Sequence, residues 1–476
     1  MKQNFKKSIY MKLKNKLYAI SPIDGRYSNQ VNEIREIFSE YALFKYRIKV
    51  EILWLEKLST IPEIKEIPNL NKKTKTKLYN IIKNFNIKNA KKIKKIENIT
   101  NHDIKALEYF LKKEISKINE LKKNIEFIHF ACTSDDINNL AYALMLKKAK
   151  KNIFIPYWNK IIQKIKKLAK KYIKTALLTY THGQVASTST IGKEMTNFIY
   201  RMERQKYQLK NIKILGKMNG TVGNYNAHLA AYPNINWNKI SKEFVNSLKI
   251  TWNPYTTQIE PHDYISELLT CIIRFNIINI NLVSDIWRYI SIKFFIQKYK
   301  KEEVGSSIMP YKINPIDFEN AESNLKLSNS IMQHLSINLP ISRWQRDLRD
   351  STLLRNIGLS FAYSIIAYKK IIKGISTLKI NKKYIKKKIN ENWQILTEAI
   401  QTTMRSYKIK KPYEKLKKIT RGKKITKKQI KKIINKLSIP QKKRNKLKKI
   451  TPENYIGNAI NLTKNMEKYI NKLKNK

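Results

Sequence analysis

The residues of this chain that could do chemistry gather in a few short segments, because its 476 residues include only 11 glycines and 14 arginines. The most pointed segment is 305–315, G-S-S-I-M-P-Y-K-I-N-P, followed by Phe318, Glu319 and Asn320. Gly305 permits unusual backbone angles, Pro310 and Pro315 exclude helix, and Ser306 and Ser307 supply hydroxyls. With Lys312 as a cation and Asn314 as an amide, the segment suits clamping a carboxylate and moving a proton, as a mobile lid between two helices would. Read alone, it is also compatible with a plain interhelical turn, the commoner fate of Gly/Ser/Pro segments. Polar residues cluster in five further places: S-P-I-D-G-R-Y at 21–27, T-N-H-D at 100–103, C-T-S-D-D-I-N-N at 132–139, T-H-G-Q at 181–184, and 342–355, which alone holds four of the arginines.

Long helices must position these segments. Residues 262–304 contain neither Gly nor Pro, and within them Ile265, Leu268, Leu269, Ile272, Ile273, Ile277 and Ile280 recur at steps suited to one buried helix face. Similar stripes run through 157–180 and 193–215, and 316–339 is another uninterrupted stretch. The expectation is an all-α protein of three helical domains. Residues 1–122 form an N-terminal domain with shorter helices broken by Pro22, Pro62 and Pro68. Residues 123–374 form a central bundle of long helices carrying the 305–315 loop, and 375–476 a Lys-rich C-terminal helical domain with short apolar repeats. So few Gly and Pro exclude an all-β sandwich or barrel of this length.

Charge is heavily unbalanced, with 97 Lys plus Arg against 35 Asp plus Glu, a net +62, and 83 of the bases are Lys. Ile, Asn and Tyr are abundant alongside, which fits drift toward AT-rich codons better than selection for a polyanion partner. The lysines are spread along the chain and no RNA- or DNA-binding motif appears, so no specific nucleic acid is expected. Cys132 and Cys271 make no disulfide framework or metal-type spacing and suit a reducing cytoplasm. Lys2, Lys6, Lys7, Lys12, Lys14 and Lys16 leave no apolar block for a secretory signal. No run of 18 apolar residues occurs, and a soluble protein without membrane association is expected.

The 305–315 segment resembles the G-S-S-x-M-P-x-K-x-N-P signature of the fumarase/aspartase superfamily of lyases. Within it the chain is similar to the bacterial adenylosuccinate lyases from about residue 15 to about 465. That similarity rests on the segments at 21–27, 100–103 and 181–184, on G-N-Y-N-A-H at 223–228, E-P-H-D-Y at 260–264 and S-R-W-Q-R-D at 342–347, and on K-P-Y-E at 411–414 with T-R-G-K at 420–423. Asp135 stands where Glu is usual, Val185 where Pro is, and Tyr311 where His is common.

The resemblance implies a core of the twenty-helix type in a homotetramer, with each site built from three chains. It implies β-elimination of fumarate from the nucleotides adenylosuccinate, giving AMP, and SAICAR, giving AICAR, in purine biosynthesis, with no cofactor and no metal. Such chemistry needs a base for the proton beside a carboxylate, an acid for the departing nitrogen, and donors for the developing charge. Ser306 maps to the base, His182 to the acid, and Glu319 to the carboxylate that orients and charges that histidine. His102, with Asn101 and Asp103, maps to catalytic and substrate contacts, although the same trio reads as a helix N-terminal cap. Arg26, Tyr27, Arg346, Ser351 and Arg355 map to nucleotide and phosphate contacts, Thr133, Ser134 and Gln258 to the succinyl part, and Lys312, Asn314 and Asn320 to further substrate contacts. Arg343 and Arg349 suit surface charges, while His228, His262 and Glu260 fall outside the matched contacts and read as structural. The alternatives are a sibling such as argininosuccinate lyase or fumarase, or a basic nucleic-acid-binding protein. Arg26, Tyr27 and the arginines of 346–355 favour the nucleotide enzyme.

Overall fold

The computed structural model describes residues 15–298, 302 and 304–474, so five of the N-terminal lysines, Lys2 to Lys14, lie outside the described residues. The protein is 65% helical, and among the described residues strands occur only in three two-stranded ribbons, as suits an all-α chain. In chain order come α1 (Asn32–Phe38), α2 (Glu40–Leu58), α3 (Lys72–Lys83), α4 (Ile87–Thr100), α5 (Asp103–Ile115) and α6 (Ser134–Ala149). They are followed by α7 (Ile155–Lys171), the hairpin β1 (Ala176–Thr181) and β2 (Gln184–Thr190), and α8 (Ile191–Asn211). After the two-residue strand β3 (Leu215–Gly216) come α9 (Asn226–Ala231), α10 (Trp237–Ser247) and β4 (Thr251–Trp252), which pairs parallel with β3. The long helices α11 (Asp263–Ser291) and α12 (Ile316–Asn338) flank β5 (Phe295–Gln297). Short α13 (Arg349–Leu354) then leads to α14 (Ile357–Thr377) and β6 (Leu378–Ile380), which runs antiparallel to β5.

Contacts divide the described residues into two compact units, one of 15–157, 208–276 and 324–366, the other of 158–207, 367–474 and the described part of 277–323. In the first, α6 buries thirteen of its sixteen residues, polar ones included, and is therefore a core helix rather than an amphipathic surface one. Trp54 of α2 packs at a tilt against Phe244 of α10, ring centroids 5.0 Å apart, and donates its indole N–H to the Phe130 carbonyl at 3.1 Å. The parts of α11, α12 and α14 in this unit are joined by a buried polar seam. Asn276 Nδ2 donates to Asn329 Oδ1 at 2.9 Å and to Ser364 Oγ at 3.0 Å, and the Ser328 and Ser364 hydroxyls meet at 2.7 Å. Buried polar groups must be paired, so this seam fixes the register of three otherwise apolar faces.

In the second unit Trp158 donates its indole N–H to Tyr368 Oη at 3.1 Å, and buried Lys166 bridges Glu203 and Glu467 at 3.2 Å each. Its C-terminal part holds α15 (Lys382–Asn390), α16 (Thr397–Ser406), α17 (Pro412–Thr420), α18 (Lys427–Asn435), α19 (Gln441–Lys448), α20 (Ala459–Lys464) and α21 (Met466–Lys474). The apolar repeats of the Lys-rich segment, Ile425, Ile430, Ile434, Leu437 and Leu447, close a small core with Leu396, Ile400 and Met404.

Several helical expectations end early. The stripe at 157–180 is helix only to Lys171; residues 176–190 form the hairpin, whose Thr, Ser and Val content suits strands. The 193–215 stripe stops as helix at Asn211. The 262–304 stretch stops at Ser291, where Lys293 takes φ +62° and the Phe294 N–H reaches the Tyr289 carbonyl at 2.8 Å. That is a Schellman stop made without the glycine that would announce it. Within α11 Ile277 is 49% exposed and its neighbour Ile278 is buried instead. By length and composition α11 could cross a bilayer, but Leu268, Leu269, Ile272, Phe275, Leu282 and Ile286 are buried inside the protein.

Candidate active site

Seven of the residues singled out from the sequence line one cavity of about 290 Å³ in the first unit: Asn101, His102, Asp103, Ser134, Arg346, Ser351 and Arg355. Local structure puts them there. Asn101 ends α4 in the left-handed region at φ +49°, turning the chain so that His102 becomes the N-cap of α5. The His102 Nδ1 accepts the Lys105 N–H at 3.1 Å, so the ring caps the helix through Nδ1. The capping and cavity-lining readings of T-N-H-D therefore hold together. Asp103 Oδ2 lies 2.8 Å from Arg47 Nη2 and 3.3 Å from Arg355 Nη2. Burial pushes this carboxyl up, but the two guanidiniums and the Ile104 N–H outweigh it and hold it below its ordinary value. Arg346 donates through Nη1 to Gln258 Oε1 at 3.2 Å and through Nη2 to Ser351 Oγ at 3.3 Å. Arg47, Arg346 and Arg355 thus bring three guanidiniums to one cavity, a set suited to an anion with several oxygens.

Two features of this wall escape sequence reasoning. Arg47, 3% exposed, is tied by Nε to Asn138 Oδ1 at 2.8 Å, and its only signal was being a rare arginine in a Lys-rich helix. Asp136 and Lys217 form an ion pair of 3.0 Å with both side chains wholly buried. The Asp136 carboxylate also accepts the N–H groups of Thr133, Asn219 and Gly220, so it anchors the turn into α6 that presents Ser134. Asp135 borders the cavity at 2% exposure, and burial pushes its carboxyl up to about 6. Thr133, Gln258, Arg26 and Tyr27 do not line the cavity: Thr133 is the N-cap of α6, Gln258 reaches it through Arg346, and Arg26 is exposed on the tight 21–28 turn.

The other expected residues belong to the second unit. His182 and Gly183 are the two central residues of the β1–β2 hairpin, with φ +53° and +72°, between the paired Thr181 and Gln184. Positive φ at both positions makes a type I′ turn, which suits the strand twist and explains glycine at the second position. His182 is exposed at the tip. In the 305–315 loop the half-buried Ser306 Oγ accepts the N–H groups of Ile308 at 3.3 Å and Met309 at 3.0 Å. Asn314 Nδ2 donates to the Gly305 carbonyl at 2.7 Å and ties the loop's ends. A Cβ on Gly305 would lie 1.8 Å from the Lys312 carbonyl oxygen, so only glycine permits this closure. Lys312 is exposed, and Asn320 is half-buried near the start of α12. Glu319, in the first turn of α12, accepts the Trp287 indole N–H at 3.0 Å; within one chain its carboxylate is bonded by this indole and not by His182. Among the described residues no group of three or more His, Cys, Asp and Glu could hold a metal ion.

Residues 25–329 match the family described as Lyase, and residues 342–456 the family described as Adenylosuccinate lyase C-terminal. The chain is 58% identical to adenylosuccinate lyase of Buchnera aphidicola subsp. Schizaphis graminum (strain Sg), over 94% of this chain and 98% of that one. It is 54% identical to adenylosuccinate lyase of Escherichia coli (strain K12), again over 94% and 98%. Among solved structures it resembles a fumarate lyase from Mesorhizobium sp. BNC1 with a TM-score of 0.74 at 14% identity, over 91% of this chain and 97% of that one. It resembles 3-carboxy-cis,cis-muconate lactonizing enzyme from Pseudomonas putida with a TM-score of 0.73 at 14% identity, over 93% and 98%. At that identity the two structures speak to the fold.

Proposed function

This chain belongs to the adenylosuccinate lyase family, and from that membership we propose that it eliminates fumarate from adenylosuccinate, giving AMP, and from SAICAR, giving AICAR, in purine biosynthesis. Ser306 takes the proton from the carbon beside a carboxylate of the succinyl group. Lys312, Asn314 and Asn320 steady the negative charge that then spreads into that carboxylate. The carbon–nitrogen bond breaks with its electron pair going to nitrogen, and His182, oriented by Glu319, donates the proton that completes the product amine. Asn101, His102, Asp103, Thr133, Ser134 and Gln258 hold the substrate, while Arg26, Tyr27, Arg346, Ser351 and Arg355 bind its nucleotide and phosphate.

The observation that carries this reading is the pair of backbone N–H groups aimed at Ser306 Oγ. A serine is a poor base unless its oxygen can bear negative charge, and two amide donors supply that charge with partners before substrate arrives. The cavity with three guanidiniums supports a phosphate-bearing substrate over the argininosuccinate or fumarase alternatives. The same reading includes a homotetramer in which other copies supply His182 and the 305–315 loop to each cavity, a cytoplasmic location, and three consecutive helical segments at 1–122, 123–374 and 375–476. Incubating the purified chain with adenylosuccinate, SAICAR, argininosuccinate and malate decides the reaction. Fumarate is expected only from the first two, and its absence from adenylosuccinate would overturn the proposal.

A further inference from the structure

A row of buried charged groups runs up to Arg346, through residues given no part in the proposed reaction. Glu260, His262 and Asp350 are 1%, 2% and 6% exposed. Asn253 Nδ2 donates to Glu260 Oε1 at 3.0 Å, and Glu260 Oε2 accepts the His262 backbone N–H at 2.9 Å while standing 3.9 Å from His262 Nδ1. On the other edge of the ring, His262 Nε2 is 3.5 Å from Asp350 Oδ2. Asp350 Oδ1 accepts the Ser351 N–H at 2.7 Å and lies 3.9 Å from Arg346 Nη2. The row therefore ends on two groups facing the cavity. His262 is also held at φ +69°, a left-handed backbone that a non-glycine residue adopts only when its surroundings enforce it.

The carboxylates that act on the imidazole come from three parts of the chain. Asp135 contributes from α6, Asp350 from α13, and Glu260 from the loop before α11, where Asp263 lies close to Glu260; Lys217 and Arg346 are the cations near Asp135, and Arg346 also lies near Asp350. Burial opposes a charged His262, but Asp350, Asp135 and Glu260 outweigh it and raise the pKa. Burial likewise opposes a charged Asp350, and His262 and Arg346 hold its carboxyl down.

We propose that His262 is a positioning residue for substrate binding: packed between Glu260 and Asp350, its imidazole holds the Asp350 carboxylate in place, which sets Arg346 and Ser351 to receive an anionic group of the substrate, its phosphate. This rests on the assignment of Arg346 and Ser351 to phosphate made above. Without the imidazole beside it, Asp350 would turn to the Arg346 guanidinium 3.9 Å away and draw it off the cavity, because a buried carboxylate without a partner is costly. His262 itself touches no substrate; its effect must pass through Arg346.

That dependence is the test. KM and kcat for adenylosuccinate are measured on the full chain with His262→Gln, Asp350→Asn, Arg346→Ala and the double variant Arg346→Ala/His262→Gln, with thermal unfolding followed for each. His262→Gln is expected to raise KM about tenfold with kcat within about threefold, the pattern of lost binding rather than lost chemistry. In the Arg346→Ala background it should add less than about twofold, since the two changes share one pathway. An unchanged KM for His262→Gln, or the same factor in both backgrounds, overturns the proposal, and so does a loss of stability and kcat that ignores Arg346. If His262→Gln does not yield folded protein, Asp350→Asn takes its place in the cycle, and full additivity with Arg346→Ala is then the overturning result. Arg346→Ala with an unchanged KM would instead overturn the phosphate assignment and the positioning role with it. A costly Arg346→Ala beside a silent His262→Gln removes the positioning role alone.

Discussion

Ser306 and Ser307 are adjacent hydroxyls in the same loop, and hydrogen bonding separates them. Ser306 Oγ accepts two backbone N–H groups, while Ser307 is exposed. A base must be able to carry charge between its two proton transfers, so Ser306→Ala is expected to lower kcat by about 10²- to 10⁴-fold and Ser307→Ala by less than about tenfold. Steady-state assays of the two variants on adenylosuccinate check this, and equal losses would remove the assignment of Ser306. Gly305 governs the same atoms through geometry. A methyl group there meets the Lys312 carbonyl at 1.8 Å, so Gly305→Ala must open the loop and shift Ser306 relative to Lys312 and Asn314. A displacement of about 1 Å can cost about 10²-fold, and a loss of that order in kcat/KM is expected. Because the loop is largely exposed, the melting temperature should stay within about 2 °C of the parent; a large drop would mean that Gly305 serves stability first.

At the scale of elements, α9 is too short to be stable alone and is held by what its histidine packs against. His228 is fully buried, with ring centroids 4.8 Å from Trp237, 5.6 Å from Tyr225 and 6.3 Å from Trp54. Burial in this aromatic box pushes its pKa down to about 4, so the fold contains the neutral ring, in keeping with a structural role. The unfolded chain binds a proton there near pH 6.5, the folded one only near 4. The His228 contribution is thus fully present above pH 6.5 and is lost as pH falls toward 4, by about 3 kcal/mol at most. Asp135, whose pKa is raised to about 6, has the opposite sign, present at low pH and lost as pH rises through 6. Comparing one variant with the parent cancels it. Urea unfolding of His228→Phe and the parent at pH 7 and pH 4.5 should show the variant losing less stability on acidification; parallel losses would mean that His228 is not neutral in the fold.

At the scale of the molecule, the residues of one proposed site divide between two compact units. The cavity lined by Asn101 to Asp103, Ser134, Arg346 and Arg355 belongs to the first, and the His182 hairpin with the 305–315 loop to the second. Glu319 is held by the Trp287 indole of its own chain, so a partnership with His182 is proposed across subunits. If complete sites draw on different copies, inactive Ser306→Ala and inactive His182→Ala subunits, mixed and allowed to exchange, must generate some sites free of both changes. Partial activity is expected to return, with a maximum near equal proportions. No recovery under verified exchange, shown by mass-tagged subunits, would mean that each chain holds its own site. The net charge of +62 opposes association at low salt, so the mixing belongs at physiological ionic strength or above.

The sequence by itself determined the family and the helical class. Motifs such as T-H-G-Q and 305–315 are contiguous, and the apolar spacing of α11 and α18 declares a helix within a few turns of chain, because side-chain direction along a helix is a local property. Tertiary structure decided what depends on residues far apart in the chain. Arg47 enters the cavity wall through Asp103, 56 residues away, and Asp136 and Lys217 meet in the core with no spacing that could announce it. The stop at Lys293 relies on αL geometry without glycine, and the hairpin at 176–190 on strand pairing that an apolar stripe conceals. His262 shows the limit most plainly. Its neighbours in sequence make it an ordinary buried histidine, and only the fold brings Asp350 to the other edge of its ring, because the charge of a buried group is set by every element packed around it.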